Sequence, residues 1–121
     1  MRTMPHPRWL MAPGLLAIAL AAAASNLNFM KDSPFTHFNE QDQKLFKQML
    51  VETLEQGAVG EVRRWSNPKT TAAGEMSVLK TFERGALPCR TVSISNVAKG
   101  RTSSGSYSLC KQATGKWVQA N

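Results

Sequence analysis

A single α+β domain, with one N-terminal amphipathic helix packed on a four- to five-stranded antiparallel β-meander, is predicted by three observations. Apolar residues recur at spacings of three and four between Asn39 and Gly57. After Gly60 the composition changes to Val, Ile, Thr, Ser and aromatic runs broken by turn residues. Within that second region the two cysteines fall symmetrically about the turn signal Lys99-Gly100.

The domain is preceded by a segment of different character. Arg2 and Arg8 give a positive start, Leu10 to Ala24 is apolar, and the small-residue run Ala21-Ala22-Ala23-Ala24-Ser25 suits a signal peptidase. Residues 1–24 therefore read as a cleavable signal peptide. A retained anchor is disfavoured, because fifteen apolar residues carrying Pro13 and Gly14 fall short of the roughly 20 that a spanning helix needs. Neither cysteine lies in this region, so no lipoprotein anchor is expected. Removing 24 of 121 residues leaves 97, one domain's worth. Its charge is thirteen Lys and Arg against eight Asp and Glu, a net +5.

Residues 25–37 carry Asn, Ser and Pro without sustained period and read as a flexible leader, so the domain proper spans 38–121. Its helix starts at Asn39, a good N-cap, with Glu40 and Asp42 near the positive end of the dipole. Leu45, Phe46, Met49, Leu50 and Leu54 form the apolar stripe, and Gly57 and Gly60 end the helix.

Five strands come next, near 61–66, 75–83, 89–97, 101–111 and 116–120. The breaks are Asn67-Pro68-Lys69-Thr70, Arg84-Gly85-Ala86, Lys99-Gly100 and Ala113-Thr114-Gly115. In the second strand Met76, Val78 and Phe82 are assigned to one face and Ser77 and Thr81 to the other, with Leu79 and Lys80 out of pattern. Counting outward from a two-residue Lys99-Gly100 loop sets Ala98 opposite Arg101, Val92 opposite Tyr107 and Cys89 opposite Cys110. Opposed antiparallel residues lie about 4.5 to 5.5 Å apart at Cα, within the usual disulfide range of about 4.4 to 6.8 Å. Export and an even cysteine count point the same way. A bulge at Gly105, within Ser103 to Ser106, would break this register.

Catalytic constellations are scarce. His37 is the one histidine after the signal, and no Gly-x-Ser-x-Gly elbow or phosphate loop occurs. A zinc site needs three or four ligands, and bridged thiols are not nucleophiles. Glu52 and Glu55, three apart on the helix, read as a solvated face. No catalytic, cofactor or metal residues are therefore assigned.

Trp65-Ser66-Asn67-Pro68, Gly74, Cys89-Arg90, Gly105, Cys110 and Gly115-Lys116-Trp117, in that order, resemble the C-terminal domain of the 17 kDa bacterial surface antigen family. The preceding helix, with Asp42 and Leu54-Glu55, is similar too, and the resemblance runs from about Phe38 to Gln119. It implies an envelope-associated, antigenic, non-enzymatic protein. Two departures stand out: the chain has neither the lipoprotein cysteine nor the glycine zipper of many members, and Thr71 replaces a usual glycine after the Asn-Pro turn.

Two functional expectations result. The first is an exported protein of periplasm, outer membrane or cell surface, without lipid anchor or transmembrane span, acting as a structural or interaction module among other envelope components. The second is a basic module gripping anionic lipid headgroups or polysaccharide through Arg63, Trp65, Arg90 and Arg101. Nucleic acid is not expected as a partner of an exported chain. A transmembrane barrel is excluded on length, since eight strands of about 10 residues need more chain than remains after the helix.

Overall fold

In the computed structural model, residues 37–120 are described; the signal segment 1–24 and all of the leader but His37 lie outside the described residues. Helix α1 (Glu40–Gln56) precedes strands β1 (Val62–Asn67), β2 (Ala72–Arg84), β3 (Leu87–Ala98), β4 (Arg101–Lys111) and β5 (Trp117–Gln119). The strands form one antiparallel sheet in sequence order, with α1 packed chiefly over β1 and β2. The fold is α+β, as predicted.

Helix α1 begins in a capping box. Asn39 Oδ1 accepts from the Asp42 N–H at 2.8 Å, and Asp42 Oδ2 accepts from the Asn39 N–H at 2.9 Å. Phe46, Leu50 and Leu54 are fully buried, whereas Leu45 and Met49 only flank the core. Each such buried side chain is worth about 1.5 to 3 kcal/mol. Gly57 caps the end by donating its N–H to the Thr53 carbonyl at 2.9 Å. Phe38, just ahead of the cap, meets Trp65 edge-on at 5.0 Å and Phe46 at 6.0 Å between ring centres. These rings close the end of the core.

Strand alternation places Trp65, Met76, Val92, Ile94 and Leu109 on the helix-facing side. At Gly74 a Cβ would come within 2.3 Å of Asn96 Oδ1 and 2.5 Å of Trp65 Nε1. The missing side chain is thus what lets Trp65 and Asn96 approach across β2.

One expected register is overturned. The β2–β3 ladder shifts between Val78 and Lys80, leaving Leu79 as an extra residue. Beyond it the facing reverses: Thr81 pairs with Arg90 on the helix side, while Phe82 pairs with Cys89 on the other. Phe82 therefore does not share a face with Met76 and Val78, because a bulge changes the parity of every residue after it. By contrast, β3 and β4 pair without interruption from Ala98 opposite Arg101 to Cys89 opposite Cys110. Gly105 stays in register, with the Tyr107 side chain lying against it.

The turns satisfy their backbone demands in different ways. Lys99 (φ 52°) and Gly100 (φ 76°) are both left-handed, as a two-residue hairpin of this hand requires. Thr71 (φ 64°) is left-handed as well, at the end of the Asn67-Pro68 turn. A β-branched residue is strained there. We expect Thr71→Gly to raise stability by about 1 kcal/mol, measured as an upward shift of the urea midpoint. An unchanged or lower midpoint would contradict this account of the turn.

Candidate functional site

The four residues expected to form a cationic, aromatic surface do not meet on one. Trp65 is buried in the core beneath Phe38 and Phe46. Arg63 faces the helix side and is spent on Glu61 at 3.4 Å and Glu52 at 3.8 Å. Arg90 also points inward, donating through Nη1 to the Thr53 and Leu54 carbonyls at 3.1 Å each. It thereby satisfies backbone acceptors at the end of α1. Arg101 alone is exposed, at the β3–β4 turn. Residue type suggests a patch; alternation sets all four on the helix side, where three are taken up by the packing and only Arg101, at the turn end of β4, stays exposed.

A shallow cleft of about 450 Å³ lies beside the end of α1, lined by Leu54, Glu55, Phe82, Arg90, Lys111 and Trp117 among others. Glu55, Arg90, Lys111 and Trp117 there are already bonded. Glu55 accepts from Lys111 Nζ at 2.9 Å and from Trp117 Nε1 at 3.0 Å, and Arg90 serves the helix. No group of three or more His, Cys, Asp or Glu able to hold a metal occurs among the described residues. None of their helices is long and apolar enough to cross a membrane.

The cysteines are joined, and both are buried. Their Cα atoms are 4.0 Å apart, closer than the expected range, because they form a narrow, non-hydrogen-bonded pair drawn in by the covalent link. The bridge lies on the face turned away from α1, with Phe82 next to Cys89 and Val118 next to Cys110 in the ladder.

At the opposite end of the sheet, Asp42 is a buried hub. Oδ1 accepts from Asn67 Nδ2 at 2.7 Å and from Thr70 Oγ1 at 2.8 Å, so the carboxylate ties the helix start to the β1–β2 turn. Burial by itself raises its pKa. The Asn39 amide, the Thr70 hydroxyl, the Asn67 side chain and the Lys99 charge together outweigh that and hold it below its ordinary value. Beyond this hub, Lys69 and Lys99 stand on neighbouring turns next to Arg101. None of the three forms an ion pair among the described residues.

The least committed feature is the outer edge of β4. Strand β5 covers only Leu109 to Lys111, and the Ala120 N–H reaches the Ser108 carbonyl at 2.7 Å. Parity then directs the backbone groups of Thr102, Ser104 and Ser106 outward as well, where they find no partner among the described residues. The face turned away from α1 carries Thr91, Ser93, Ser95, Ser104, Ser106 and Ser108, a neutral hydroxyl surface. Sequence reasoning missed the edge, although the shortness of the last strand against an eleven-residue β4 was the signal for it.

No protein-family model matches the chain, and no curated protein or solved structure shows significant similarity to it. Architecture defines its class: a disulfide-stapled antiparallel meander carrying one helix, with β4 covered by β5 over only part of its length.

Proposed function

We propose that the chain is an exported cell-envelope protein of the surface-antigen type that works as a non-catalytic structural or interaction module. The observation that carries this reading is the uncovered stretch of the β4 edge on a sheet stapled by the disulfide and packed under α1. A rigid strand with unpaired amides and carbonyls is a template for another strand. The disulfide supports export, since thiols in the cytosol are kept reduced, and the Arg-apolar-Ala layout of residues 1–24 supports the route. The surface-antigen assignment rests on the motifs from Trp65 to Trp117.

A second reading, contact with an anionic envelope surface, is favoured by one arrangement. Lys69, Lys99 and Arg101 share the turn end and make no direct ion pair among the described residues, so this contact moves there from Arg63, Trp65 and Arg90.

Fractionation of a bacterial host expressing the full chain tests both readings. The expected product starts close to Ser25, carries the disulfide and sediments with the envelope. Retention through a high-salt wash marks packing and strand pairing, whereas release by salt marks the cationic end. A cytosolic protein with Met1 intact would overturn the export on which both depend.

A further inference from the structure

We propose that the free edge of β4 is the pairing site for a second copy of this chain, joined antiparallel about a two-fold axis at Ser104. This rests on the interaction-module reading and names the module's partner. The uncovered stretch, Arg101 to Tyr107, is bounded by the Lys99-Gly100 turn at one end and by β5 at the other, and Ser104 is its midpoint. Because Thr102, Ser104 and Ser106 all direct their backbone groups outward, two edges centred on Ser104 match without offset. Thr102 meets the second copy's Ser106, Ser104 meets its own equivalent, and about six hydrogen bonds form.

Charge favours the same arrangement. Edges are usually blunted by charged residues or proline, yet from Thr102 to Leu109 the strand has neither. Its one cation, Arg101, stands opposite Tyr107 of the second copy and not opposite another arginine, which suits a cation–aromatic contact. The other sheet edge is protected: β1 is short, carries Arg63 and Arg64, and is followed by Pro68. Pairing through β4 alone therefore closes at two copies and does not run on as a fibre.

The test uses protein purified with its disulfide formed. Sedimentation velocity over a concentration series should show a monomer–dimer equilibrium. Amide exchange at Thr102, Ser104 and Ser106 should slow by about tenfold or more in the dimer, while Ser103 and Gly105, already bonded to β3, stay unchanged. Ser104→Lys and Ser104→Glu should each abolish the dimer by setting like charges face to face, and mixing the two variants should restore it. Ser104 is exposed and its side chain is bonded only to Ser95 Oγ at 3.2 Å, so both variants should keep the parent fold by circular dichroism. A parent that stays monomeric at every concentration, or a Ser104→Lys dimer as strong as the parent's, overturns the pairing. Envelope retention separates the two readings. Monomeric but retained protein sinks the pairing alone, and dimeric but freely soluble protein sinks the envelope-module reading alone.

Discussion

Replacing Cys89 and Cys110 together by Ala is expected to cost about 3 kcal/mol, a large share of the roughly 5 to 10 kcal/mol of a domain this size. The bridge spans a sequence separation of 21, and the loop it closes loses that much conformational entropy in the unfolded chain. Its position adds to the effect. The β3–β4 hairpin is closed by its turn at one end and by the bridge at the other, while β5 secures β4 over only three residues. Scanning calorimetry should show a melting temperature lowered by roughly 15 °C. Reductant should lower the parent's midpoint and leave the double variant's unchanged. A parent indifferent to reductant would refute the claim that the staple matters to stability.

Asp42→Ala is expected to be about as damaging, at about 3 kcal/mol. It strands the Asn67 amide inside the protein, removes the partner of the Thr70 hydroxyl and opens the capping box of α1. Asp42→Asn keeps the shape but should still cost about 2 kcal/mol. All three groups facing the carboxylate are donors, and one amide end of Asn would set N–H against N–H. The pH dependence comes from the same contacts. The carboxyl's pKa is lower folded than unfolded, so its contribution is complete above the ordinary aspartate value. It is lost as pH falls through the lower folded value. Urea midpoints of parent and Asp42→Asn should therefore converge in strong acid and separate as pH rises. Parallel curves across the acid range would show that the hub is not the titrating element.

The two expectations differ in how visible they were. Cys89 and Cys110 could be paired by counting from Lys99-Gly100, because both partners belong to one hairpin and hairpin register is local. Asp42 was placed as a favourable charge near a helix start and as part of the surface-antigen resemblance, with no partner assigned. Its bonds to Asn67 and Thr70 span 25 and 28 residues, and nothing in the spacing announces them.

Local chemistry in the chain was enough to determine the helix and its cap, the number of strands, four of their turns and the β3–β4 register. Each depends on residues close in sequence, through periodicity, capping side chains and left-handed turn positions. The fate of the arginines was decided by packing across distance. Alternation puts Arg63, Arg90 and Arg101 on the same side of the sheet; Arg63 and Arg90 end against α1 and its acidic or carbonyl groups, whereas Arg101 stands at the β4 turn, where α1 does not cover it. The open edge of β4 has the same origin: a strand is an edge only in relation to the strand that fails to cover it, and β5 stops after three residues.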